Sequence, residues 1–300
     1  MFIARGIRIG LGLLLAVAVG RGAVQAQEGP APAERAPFRE ARAMAVDPTG
    51  QLYVADAGRD LVRIFDASGA EVAALGSSGI RAGEFDGPSD LDPTNGQTLL
   101  VADAGNGRVQ RFSAERQYLE AVPVGASFGT PEQRVFDDGR DGGDVQGDGR
   151  PIAVVSTDGD ETYVIDARDA SVLTFDAQRR PERVIAPPSR LRRPVALALG
   201  DNRRLYVADA EQRAVYAYDR FGSFLRTLPL PDLPPPRALT VVQGRLWVVC
   251  ADRIVVWDPQ ASDVQVRPVA LDADLVDAAR WTDALYLLTE RRLVRRPGWW

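Results

Sequence analysis

Four aspartates are the first residues in this chain that could do chemistry. Asp56, Asp103, Asp166 and Asp209 close four near-copies of one phrase, LYVAD, LLVAD, TYVID and LYVAD, and fall 47, 63 and 43 residues apart. Four carboxylates around one axis could bind a cation or a basic ligand. A short Asp at that place also ties a strand–strand turn by accepting backbone N–H bonds. A device repeated once per unit is architectural first, so turn chemistry is the expected role. Arginines form a second set: Arg81, Arg190, Arg192, Arg193 and Arg237 precede or begin the strand that leads each unit. Guanidinium forks grip carboxylates and phosphates through two bonds at once. These arginines either serve a ligand or pair with the aspartates. A third set lies in the Gly-rich stretch 137–149, with five aspartates against one arginine. Asp144 and Asp148 echo the first and fifth positions of a calcium loop, with Gly149 at its sharp turn. Gln146 stands at its third position, and Ile152 and Val155 stand where the ninth and twelfth ligands would be. A solvated acidic loop is the expected state. No cofactor is expected, with Ca²⁺ the one ion the pattern suits.

The missing residue types exclude more than these sets suggest. The chain has no histidine, and all 36 of its basic residues are arginine. Ser–His and Cys–His nucleophile pairs, imidazole metal ligands, Schiff bases and phosphate-loop lysines are therefore absent. The single cysteine, Cys250, can form no internal disulfide. Flanked by Val248, Val249 and Ala251, it reads as a buried inert thiol. A net charge of −5 argues against a nucleic-acid partner.

The N-terminus reads as a secretion signal. Arg5 and Arg8 precede the apolar run Ile9 to Val19, and Val24 and Ala26 supply small residues before a cut at Gln27. The run is too short for a membrane span, which takes about 20 apolar residues. Residues 27–36 follow as a Pro/Ala-rich leader. The mature chain is expected in the periplasm or outside the cell, as a monomer without a membrane span.

The elements that position these residues recur six times, with decayed copies of the phrase at LWVVCADRIVVW and LYLLTERRLV. With Cys250 and Thr289 standing where the aspartates would be, the last two spacings are 41 and 39 residues. A four-stranded propeller blade takes about 40–50 residues, so only the 63-residue spacing carries an insertion, near 124–150. Each copy parses as a first apolar strand, a turn, an unbroken apolar strand, a polar turn, an alternating strand and an outer strand. Trp247, Trp257, Tyr53, Tyr206, Tyr216 and Tyr218 fall at strand positions expected to pack between blades. Trp299-Trp300 has no assigned place. The sixth copy stops after its third strand. Pro37-Phe38-Arg39-Glu40 is expected to supply the missing outer strand and close the ring, which would remove exposed edges.

The phrase resembles the NHL repeat, in which a strand ending in LYVAD leads through an Asn or Gly turn to RV and an aromatic. Gly83-Glu84-Phe85-Asp86-Gly87-Pro88 is similar to that family's G-x-F-x-x-P lead-in. The resemblance implies an all-β, six-bladed β-propeller of four-stranded antiparallel blades over 37–300, a fold that serves binding platforms, lyases, lactonases and sensors alike. The expected function is an exported, non-catalytic binding or scaffold propeller with a protein, peptide or glycan ligand on one face. The alternative is a calcium-dependent lactonase or hydrolase, whose channel metal is held by Glu, Asn and Asp. The three asparagines (Asn95, Asn106, Asn202) all fall in expected turns and stock that set poorly. The zinc-dependent amidating lyases related to this family need histidine.

Overall fold

Each copy of the repeated phrase is a β-strand covered on both faces, which is why its sequence is apolar without alternation. In Leu52–Asp56 every residue is buried. Leu52 and Val54 enter one apolar cluster, and Tyr53 and Ala55 enter the cluster on the other side. Leu205 and Val207 divide from Tyr206 and Ala208 in the same way.

The computed structural model describes residues 37–125, 145–185, 190–261 and 263–298. The secretion signal, the leader, most of the acidic stretch including Asp144, and Trp299-Trp300 lie outside them. The chain is a six-bladed all-β propeller. Five blades are four-stranded antiparallel sheets laid down in chain order, and the sixth shows three strands among the described residues. The blades lead with strands Ala41–Val46, Pro88–Asp92, Pro151–Ser156, Pro194–Gly200, Ala238–Val242 and Leu275–Trp281. Six buried clusters fill the six seams between neighbouring blades. Among the described residues no helix is long and apolar enough to cross a membrane.

The ring closes differently from the expected strand exchange. Pro37–Glu40 is not a strand. It is the lead-in to blade one, and it meets blade six at a turn rather than along an edge. The Phe38 N–H donates to the Arg291 carbonyl at 2.8 Å, and the Ala41 N–H to Glu290 at 2.9 Å. The Phe38 ring is buried against Phe65, centroids 5.9 Å apart, with the Arg63 guanidinium 4.8 Å from its centre. Phe85 and Leu191 are wedged at the same place in front of blades two and four. The last seam is therefore shut by side-chain packing like the others. Across it Tyr286 also donates its hydroxyl to the Ala67 carbonyl at 2.6 Å.

Candidate functional site at the channel mouth

The four aspartates end the second strand of their blades, one strand out from the axis, and none of them lines the channel. All four are buried. Each accepts main-chain N–H groups on at least one oxygen. Asp209 accepts the N–H groups of Arg192 and Arg193 on one oxygen (2.7 and 3.1 Å) and of Glu211 and Gln212 on the other (3.0 and 2.9 Å). Asp166 accepts from Arg150 and Arg168, both at 2.9 Å. Asp56 accepts from Arg39 and Glu40, both at 3.0 Å, and also pairs with Arg59 at 2.7 Å. Asp103 accepts from the Asp86 N–H and from buried Arg108 at 2.9 Å, and burial raises its pKa from the ordinary value against the pull of those donors. Turn chemistry is what these carboxylates do. Each ties the start of the blade's first strand to the end of its second, because Ala41, Pro88, Pro151 and Pro194 stand opposite the four aspartates.

That tie has a consequence for the arginines. In blades three and four the aspartates bind the N–H of the arginine and leave its guanidinium to point elsewhere. A mouth of about 1020 Å³ opens on this face, and Arg42, Arg150, Arg168, Arg192 and Arg193 line it against only Glu40 and Asp86. Arg42 pairs with Glu40, Arg192 with Glu211 at 3.2 Å, and Arg168 donates to the Asp148 carbonyl. Arg150 and Arg193 are exposed and have no carboxylate partner among the described residues. Of the expected arginines, Arg193 and its neighbour Arg192 reach this mouth. Arg81 and Arg190 are exposed beside it, each lending a backbone carbonyl, to Arg108 and to Gln212. Arg237 stands at the rim toward blade six, spent on Asp274 at 2.6 Å and on the Leu275 carbonyl at 2.9 Å. Arg42, Arg150 and Arg168 are additions to the expected set. For Arg150 the signal was present, since Arg150-Pro151 repeats Arg193-Pro194 at the same register.

The mouth leads into a central channel of about 650 Å³ lined by all six first strands, with Arg42, Ser89, Ile152 and Val195 common to both. Four aspartates line it, Asp90, Asp92, Asp201 and Asp277, and two of them share one register position that sequence reasoning passed over. Asp90 stands opposite Ala102 and Asp277 opposite Leu288, where blades one, three and four carry Ala43, Ala153 and Ala196. Each reaches to the next blade: Asp90 accepts the Val154 N–H and Asp277 the Met44 N–H, both at 2.8 Å. Burial raises their pKa values to about 8 and about 7, against the pull of those N–H groups. An Asp inside an otherwise apolar strand was the available signal.

The remaining candidates separate cleanly. Burial pushes the Cys250 thiol up to about 11, which leaves it protonated and unreactive. Asp148 is exposed at the end of the acidic stretch. Among the described residues, no three of His, Cys, Asp and Glu stand together as a metal ion requires.

Neither a protein-family model nor the sequence of a curated protein matches this chain. Solved structures match it in shape. It is similar to a virginiamycin B lyase from Staphylococcus aureus (TM-score 0.60, 11% identity, 88% of this chain and 87% of that one). A structure described as a streptogramin B lyase gives TM-score 0.61 at 11% identity, over 87% and 95% of the two chains. A catalytically inactive histidine-to-alanine form of the Staphylococcus aureus lyase, bound to quinupristin, gives 0.60 at 9% identity, over 85% and 80%. At these identities the likeness is one of fold.

Proposed function

We propose that this chain is an exported, NHL-like binding propeller, acting as a monomer, whose protein, peptide or glycan ligand docks on the face that carries the turns after the second strands. One observation carries the reading: on that face the repeat's own aspartates are consumed inside the fold by main-chain N–H groups and neighbouring side chains, while arginines are displayed around an open mouth. A mouth of about 1020 Å³ accepts a peptide or glycan segment, since ligand pockets run to about 1,000 Å³. The test is a peptide and glycan array probed with wild-type protein, with Ala167→Trp, and with Gln117→Trp. Ala167 lines the mouth, whereas Gln117 is exposed in a turn at the opposite end of blade two. Hits should vanish with the first variant and persist with the second. Hits indifferent to Ala167→Trp overturn the reading.

A second reading, an enzyme, draws on the fold it shares with lyases and on Asp90 and Asp277. Carboxyl groups that titrate near neutrality suit general acid–base work. The histidine whose replacement leaves one of those lyases catalytically inactive has no counterpart here, as this chain has none. Calcium-assisted hydrolysis would draw on the acidic stretch and these channel carboxylates. Any array hit that is chemically altered on incubation with the protein favours the enzyme.

A further inference from the structure

We infer that the mouth recognises an acidic peptide segment, whose carboxylates are gripped between Arg150 and Arg193 of adjacent blades. The inference rests on the reading that the ligand docks on this face, and it names the chemistry of that ligand.

Three observations carry it. First, the two arginines occupy one register position in successive blades, each directly before the proline that starts the first strand. Their backbones are pinned by Asp166 and Asp209, at 2.9 and 3.1 Å, so the base of each side chain is fixed before any ligand arrives. Pre-organisation of this kind lowers the ordering cost of binding. Second, both guanidinium groups lack an ion-pair partner among the described residues, in a protein whose net charge is −5. An unneutralised Arg pair in an acidic chain gives the mouth a local field opposite to the rest of the molecule, and such fields steer ligands of matching sign. Third, the lining is mixed. Ile152, Pro194 and Val195 give it apolar surface, while Glu40 and Asp86 break up the positive charge. A compact polyphosphate would meet that repulsion. An extended peptide can place carboxylates on the arginines and apolar side chains between them.

Titrating the mature chain with a fluorescent hexaglutamate peptide tests this. Hexaglutamine and inorganic pyrophosphate serve as the other probes. Hexaglutamate should bind, more weakly as salt rises. Arg150→Gln/Arg193→Gln should weaken it at least tenfold, and Arg190→Gln should leave it within twofold of wild type. All three arginine sites are exposed, and matching thermal melts confirm that each variant is folded. Equal hexaglutamate affinity in the double variant and wild type overturns the inference. So does pyrophosphate displacing the label at lower concentration than unlabelled hexaglutamate, which points to a phosphate ligand. If hexaglutamine binds as well, and loses binding with Ala167→Trp but not with the double Arg variant, the face survives and its acidic specificity falls. If no probe responds to Ala167→Trp, the face itself is wrong.

Discussion

Blades three and four differ from blades five and six in how they treat their arginines. In the first pair an aspartate ends the second strand and ties down the chain that enters the blade, and the guanidinium groups of Arg150 and Arg193 have no ion-pair partner among the described residues. In the second pair Cys250 and Thr289 replace the aspartate, and the rim neutralises itself. There Arg237 pairs with Asp274, Arg291 with Glu290 at 3.2 Å, and Arg292 with Asp272. The lesson is that two aspartate-tied copies of the repeat, not the decayed ones, carry arginines without an ion-pair partner among the described residues. Departure from the repeat marks where the fold improvises. Here the improvisation yields a closed, self-satisfied rim.

The largest expected effect falls on the seams that flank blade one, where the ring closes. Phe38→Ala and Phe85→Ala should each cost about 4 kcal/mol in denaturant unfolding, because each empties a buried aromatic site at an equivalent seam. A far smaller loss at Phe38 would mean that the last seam is held by something other than packing. Next comes the tie itself. Asp209→Ala strands four backbone N–H groups and should cost about 3 kcal/mol, whereas Cys250→Ala at the same register should cost roughly 1 kcal/mol. Equal costs would erase the distinction between tied and untied blades.

A smaller effect tests a feature that an aspartate-tied blade shares with an untied one. Asp90 and Asp277 sit at one register in blades two and six, with folded pKa values raised above the unfolded value of about 3.9. The folded state therefore holds protons that the unfolded state releases. The stability this gives is complete below about pH 4 and is lost as pH rises toward 7 and 8. Wild type should fall roughly 2 kcal/mol further than Asp90→Asn/Asp277→Asn across that window, less than full linkage because channel water solvates part of the charge. Asp277 is the better reporter, since it is buried while Asp90 keeps some exposure to the channel. Parallel pH curves for the two proteins would contradict the shifts. Smallest of all, millimolar Ca²⁺ should leave the melting temperature unchanged. A rise of several degrees would assign the ion to the acidic stretch around Asp144 and Asp148.

Much of this was legible in the sequence, for reasons particular residues show. Leu52-Tyr53-Val54-Ala55 announces a strand buried on both faces, and Asp56 announces the turn beyond it. The six-bladed count follows from repetition of that signal. The role of Pro37–Glu40 was misread because a short segment with one aromatic looks alike as a strand or as a wedge. The bonds from Phe38 and Ala41 to the Glu290-Arg291 turn, and the packing of the Phe38 ring, separate the two. The arginine mouth was half legible. Arg192 and Arg193 stood out, but Arg150 looked isolated until register placed its proline opposite Asp166. Asp90 and Asp277 were hidden because a channel is a property of six strands together, and no single strand displays it.

Hexaglutamate affinity in two double variants, one from each half of the rim, tests the difference between the halves most directly. Arg150→Gln/Arg193→Gln in the tied blades should weaken binding at least tenfold, about 1.4 kcal/mol. Arg237→Gln/Arg292→Gln in the self-neutralised blades should leave it within twofold of wild type. Equal losses in both variants would mean that the whole rim acts as one diffuse positive surface, and that the aspartate tie has no part in recognition.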